Sequence, residues 1–188
     1  MMYVVRARRA TAVSAAVAGV LALSACQQEA PSATLPPRAA SVVKTYPVPS
    51  RNHTSGTVHY PQSPPVGGNH NPLWINCGIY DKPIPNENAV HSLEHGVVWI
   101  TYKPNVLSQA DLGVLRTLAR QPYMLMSPYA DQETPVVLTA WGKQLEVQDV
   151  RDPHVAAFVK DFLQGPQTPE RGAPCSGGYD PEGGSAVV

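Results

Sequence analysis

Val97-Val98-Trp99-Ile100-Thr101-Tyr102, then Ser108 to Arg120, then Tyr123-Met124-Leu125-Met126-Ser127: these three segments decide the fold. The first is β-branched and aromatic, a composition suited to a pleated, buried surface. In the second, Leu112, Leu115 and Leu118-Ala119 recur at helical spacing, with Arg116 and Arg120 off that face. The third reads as a returning strand. Strand, helix and strand in that order predict one crossover unit. Further on, Val136 to Trp141 and Gln144 to Val147 read as a hairpin around Gly142-Lys143. Asp152-Pro153 then opens a last helix to Leu163, with Pro in its first turn. The expected class is α+β: a mostly antiparallel sheet with helices packed on one side.

The N-terminal half carries a different signal. Val42 to Pro85 is crowded with Pro, Gly and Asn, which predicts long ordered loops with short strands near Val42-Val43 and Val58-His59-Tyr60. Long ordered loops in a compact domain are usually functional. Asn86 serves as an expected N-cap for a short helix through His95, with Gly96 as its C-cap. The expected partition is a lipoprotein signal peptide over 1–25 and a flexible tether over 26–45. A single α+β metal-binding domain over 46–178 and a disordered Gly- and Ser-rich tail over 179–188 complete it.

Export is written at the start. Arg6, Arg8 and Arg9 precede an uncharged apolar run from Ala10 to Ala25, closed by Leu23-Ser24-Ala25-Cys26. A basic region, a short apolar core and small residues before a Cys describe a lipoprotein signal. Cys26 is then the acylated mature N-terminus, anchoring the protein to the outer face of the bacterial cell membrane. A plain signal peptide cut near Ala25 is the alternative, and the choice between general and twin-arginine export stays open. Of three Cys, Cys77 and Cys175 remain, an even pair in an oxidising compartment and an expected disulfide. The rival role for Cys77 is a copper thiolate, which would strand Cys175.

Losing residues 1–25 removes three Arg and no acid, leaving 11 basic residues against 14 acidic ones, a formal charge of −3. With no Lys/Arg run, nucleic acid is not an expected partner. No later apolar stretch is long enough to span a bilayer.

The chemistry concentrates in His91-Ser92-Leu93-Glu94-His95-Gly96. On a helix, His91 and His95 stand one turn apart on one face, with Glu94 beside them. Neutral imidazoles so spaced can reach one metal ion, and His70, in Pro64-Pro65-Val66-Gly67-Gly68-Asn69-His70-Asn71-Pro72, supplies a third. The bland reading is that these histidines only satisfy backbone groups.

Arg51-Asn52-His53, Tyr60 to His70, Gly78-Ile79-Tyr80-Asp81, Asn88 to Gly96, Ser127-Pro128-Tyr129, Thr139-Ala140-Trp141-Gly142 and Pro169 to Cys175 follow one another in an order that resembles a family of exported bacterial proteins. It is domain-of-unknown-function family 3105, and the likeness runs from about Arg51 to Gly178. The resemblance implies that His53, His70, His91 and His95 fall on motif positions.

The expected metal ligands are therefore His70, His91 and His95, with Met126 or His53 as a fourth and Glu94 behind them, fixing a tautomer. Met124 and Met126 share one face of a strand, and a thioether beside imidazoles favours copper, as Cu(I) or Cu(II), over zinc. The ordinary role of methionine in a strand is core filler. His91-x-x-Glu94-His95 also spells the inverted zincin motif, in which Glu activates a zinc-bound water. This small chain lacks the further acidic ligand that such enzymes take from a downstream helix, so an enzyme is not expected. The expected function is an extracytoplasmic, membrane-anchored lipoprotein that binds copper for capture, delivery or tolerance, with an unspecified metal-donor or metal-acceptor protein as partner. A metal-free envelope interaction module and a small zinc-dependent hydrolase are the alternatives. Trp74, beside His70, is expected to pack; Trp99, Tyr102 and Trp141 belong to the core; His59 and His154 are surface or capping residues.

Overall fold

A computed structural model describes residues 43–181. The expected signal peptide, Cys26, most of the expected tether and residues 182–188 lie outside the described residues.

Six strands and three helices follow in order: β1 (Lys44–Thr45), β2 (Gly78–Ile79), α1 (Asn86–Glu94), β3 (Val98–Tyr102), α2 (Gln109–Leu118), β4 (Met124–Pro128), β5 (Val136–Ala140), β6 (Lys143–Val147) and α3 (Pro153–Phe162). They form one mixed sheet in the order β1-β6-β5-β3-β4-β2. The pairings from β1 to β3 are antiparallel, and β4 runs parallel to β3 and β2. The class is α+β, and the predicted crossover is β3–α2–β4. The hairpin β5–β6 turns over Trp141-Gly142, with Gly142 at φ 65°. No strand forms at Val58–Tyr60, while β2 pairs only two residues with β4. Among the described residues no helix is long and apolar enough to cross a membrane.

The helices do not share one side of the sheet. Val98, Ile100, Met124, Met126 and Leu138 pack with Leu115 and Ala119 of α2 and with Val155, Phe158 and Val159 of α3. Trp99, Leu125 and Trp141 face the other way, against Ala89, Val90 and Leu93 of α1 and against Ile75 and Cys77 of the loops. Every residue of β3 is buried because both faces are covered.

Caps explain where the helices start and stop. Ser108 accepts from the Asp111 backbone N–H, and Asp152 from that of His154, with Pro153 next in line. Helix α1 begins one residue earlier than expected: Pro85 holds its N-cap position and makes no side-chain cap. At the other end, Gly96 N–H donates to Leu93 and Val97 N–H to Ser92, which is a Schellman closure. It requires the left-handed Gly96, whose φ is 92°, and a Cβ there would meet Gln164 Nε2 at 2.5 Å.

Candidate metal centre

Helix α1 buries its polar side as well as its apolar one. Residues Asn88 through Glu94 are all buried, and the polar face is satisfied by the loop beside it. Asn88 Nδ2 donates to the Leu73 carbonyl at 2.6 Å, and Ser92 Oγ to that of Ile75 at 2.8 Å. This docking aims His91, Glu94 and His95 at the residue 67–74 turn. The turn itself is set by Gly67, at φ 149°, where a Cβ would meet Val48 at 2.9 Å.

Each of three histidines is held by its Nδ1. His70 Nδ1 donates to the Gly68 carbonyl at 2.8 Å, His91 Nδ1 to Asn71 at 2.7 Å and His95 Nδ1 to Pro174 at 2.7 Å. A carbonyl can only accept, so each Nδ1 carries hydrogen, and in the neutral ring this leaves the lone pair on Nε2. This arrangement orients and tautomerically fixes metal-binding imidazoles. Burial, the largest influence, lowers the His91 pKa to about 4, and the neighbouring histidines add to it. A neutral His91 is in the protonation state a metal requires.

His53 reaches the cluster by the backbone. It forms a parallel bridge with His70, with Thr54 N–H donating to the His70 carbonyl at 2.7 Å and His70 N–H to Asn52 at 3.1 Å. The rings of His53 and His91 stack with centroids 5.0 Å apart, and those of His70 and His91 lie at 4.8 Å.

His53, His70, His91 and Glu94 each offer one ligand atom, all within 4.8 Å of one another. His91, His95 and Glu170 do the same. Donors around an ion bound at about 2.0–2.2 Å stand roughly 3.4 Å apart, so modest side-chain rotations separate the first group from a closed shell. Its chemistry fits as well. His70 Nε2 is fully buried and comes within 2.8 Å of Glu94 Oε2, yet the contact lacks hydrogen-bond direction and Nε2 has no hydrogen-bond partner. An unsatisfied buried nitrogen beside a buried carboxylate oxygen is what a third, cationic atom between them resolves.

Several expectations change. His70 and His91 come together as expected, but His95 joins His91 and Glu170 rather than His70. His53, not Met126, stands as the fourth member of the His70, His91 and Glu94 group. Glu94 presents an oxygen directly to the donor group instead of standing behind it, with its other oxygen accepting from Arg51 at 2.9 Å. Met126 is corrected: it is buried among the α2 and α3 side chains on the opposite face of the sheet. Trp74 covers the rings of His91 and His95, with centroids at 5.8 and 5.1 Å. His59 is exposed, and His154 sits in the α3 cap against Asp152.

Two residues given no role above belong here. Arg51 opens the Arg51-Asn52-His53 block, and Glu170 lies in the Pro169 to Cys175 block. Their signal was membership in short polar motifs adjoining His53 and Cys175. Cys77 and Cys175 are placed as a disulfide, with Cα atoms 5.3 Å apart, and this bond fixes the segment that carries Glu170 and Pro174 beside α1.

Residues 52–177 match the family described as Protein of unknown function (DUF3105). The chain belongs to this family. No curated protein and no solved structure matches it. The match spans every donor of both groups, from His53 to Glu170, so the cluster lies wholly within the DUF3105 region.

Proposed function

We propose that this DUF3105 protein is an extracytoplasmic lipoprotein, anchored through Cys26 to the outer face of the bacterial membrane, that binds one transition-metal ion for capture, delivery or tolerance. The observation that carries this reading is the convergence of three imidazoles and one carboxylate on a buried His70 Nε2 without a hydrogen bond. His53, His70 and His91 would hold the ion through nitrogen, and Glu94 through oxygen. Bound there, the ion is cargo, and the chain's own work is to keep the imidazoles aimed and His91 neutral. Nitrogen-rich sites with one carboxylate favour Cu(II) over Zn by the Irving–Williams order, so copper is the first choice and zinc the second. With Met126 on the other face, the thioether argument for Cu(I) is gone.

The metal-free interaction module has one observation in its favour. Glu94 already faces Arg51 at 2.9 Å, so its charge is met by a protein group without an ion. A hydrolase has less support, because a general base must reach a water, and Glu94 is buried with one oxygen accepting from Arg51 and the other against the His70 ring.

Metal analysis of untagged protein purified from the periplasm or cell surface tests the reading directly. Bound copper or zinc near one ion per chain is expected. If a variant lacking His70, His91 and His95 binds copper as tightly as the wild type, the interaction-module reading takes over. Cys26→Ser should move the protein out of the membrane fraction, and retention there would sink the lipid anchor.

A further inference from the structure

The second donor group, His91, His95 and Glu170, is neither distant from the first nor independent of it. The His91 and His95 rings meet edge-on with centroids 4.6 Å apart. His95 Nε2 lies 3.7 Å from Glu170 Oε2. His95 is buried at 3% exposure, and Glu170 lies at 48% on the C-terminal segment. His91 is common to both groups, and its Nδ1 is committed to the Asn71 carbonyl. Only one lone pair, on Nε2, is left to serve the two groups, and one lone pair ligates one ion.

A second link is electrostatic. Arg51 Nη1 stands 2.9 Å from Glu94 Oε1 and 3.9 Å from Glu170 Oε1, so a single guanidinium faces a carboxylate from each group. The backbone ties the same pair, with Glu170 N–H donating to the Glu94 carbonyl at 3.0 Å. An ion on Glu94 Oε2 withdraws charge from the Oε1 that faces Arg51, and the guanidinium has Glu170 within reach. An ion at Glu170 leaves Arg51 with Glu94. Each occupancy therefore strengthens the pairing of Arg51 with the carboxylate that the ion does not use.

We infer that His91, His95 and Glu170 form a second metal position, mutually exclusive with the first, so that one transition-metal ion passes between two positions by way of His91. Each position has one solvent-exposed ligand, His53 for the first and Glu170 for the second. The ion can thus be received at one mouth and released at the other, as a carrier requires. The inference rests on the proposed metal-binding function and specifies how that site works.

Cu(II) titration of the intact mature protein, followed by electron paramagnetic resonance, tests it on wild type, Glu94→Gln, Glu170→Gln, the double variant and His91→Ala. Wild type should take one equivalent. Glu94→Gln and Glu170→Gln should each still take one, weakened about tenfold or less, with spectra that differ from one another. The double variant should lose a further factor of about a hundred. If Glu94→Gln does not fold by circular dichroism, His53→Ala replaces it, since that side chain is exposed. The second position is overturned if wild type takes two equivalents, or if Glu94→Gln binds as poorly as His91→Ala. It is equally overturned if adding Glu170→Gln to Glu94→Gln changes neither affinity nor spectrum. Absence of binding by wild type sinks the underlying metal reading itself, a distinct result.

Discussion

His70 Nε2 and Glu94 Oε2 lie 2.8 Å apart, both side chains essentially removed from water, in a contact that is not a hydrogen bond. Removing one member of such a pair leaves the other buried without its partner. His70→Ala and Glu94→Gln should each weaken copper or zinc binding by about tenfold or less, because His91, His95 and Glu170 remain. Competition titration against a chelator of known affinity checks both. Equal affinity for His70→Ala and wild type would remove His70 from the site.

Acid should weaken the metal-free protein in a defined window. The His91 pKa is lowered from 6.5 to about 4 by burial. As pH falls through that range, the unfolded chain takes up a proton that folded His91 refuses, so stability declines with falling pH and levels off below about 4. The contribution is at most about 3 kcal/mol. Urea unfolding from pH 7 to pH 4 should give a shallower pH dependence for His91→Gln than for wild type. Parallel curves would contradict the assignment.

Met126→Leu should leave metal affinity unchanged for Cu(I), Cu(II) and Zn, since the side chain sits among Leu115, Phe158 and their neighbours. A volume-conserving core exchange should cost less than about 1.5 kcal/mol. A selective loss of Cu(I) binding would restore the thioether to the site.

Breaking the cross-link should damage fold and site together. Cys77 and Cys175 are 98 residues apart, and a loop of that length is worth about 4 to 5 kcal/mol in the chain-entropy account. The Cys77→Ser, Cys175→Ser double variant should melt markedly lower. It should also bind metal more weakly, because the Pro174 carbonyl that orients His95 is no longer held. Undiminished affinity in the folded variant would show that the segment is placed by other contacts.

Glu94 should prove inert as a catalytic base. Zinc-loaded protein is expected to cleave a peptide library no faster than background. Hydrolysis that vanishes in Glu94→Gln with metal content intact would reinstate the zincin reading.

Local pattern carried the back half of the chain. The leucines of α2 and the β-branched run of β3 declare their periods, and the β5–β6 turn has its glycine, so crossover and hairpin were legible. Helix α1 was legible as a helix but not as to the side on which it packs, because its polar face is buried and no amphipathic stripe points inward. Alternation likewise showed that Met124 and Met126 share a face, but only the packing of α2 and α3 decides which face. The site followed the same division. His91, Glu94 and His95 are neighbours along one helix and could be read together. His53 arrives through a two-residue bridge, and Glu170 through the disulfide-bonded segment. Such non-local placements leave no periodic trace.

The histidine cluster draws on stretches made at very different times during synthesis. Residues 51–53 and 67–74 emerge first, α1 next, and Glu170 with the Pro174 carbonyl only after the whole sheet has been made. A chain growing from its N-terminus thus carries most of its imidazoles long before Glu170 and the Pro174 carbonyl that complete the second donor group. The complete donor set exists only once residue 175 has been made and Cys77 has found its mate, so its assembly coincides with finished folding.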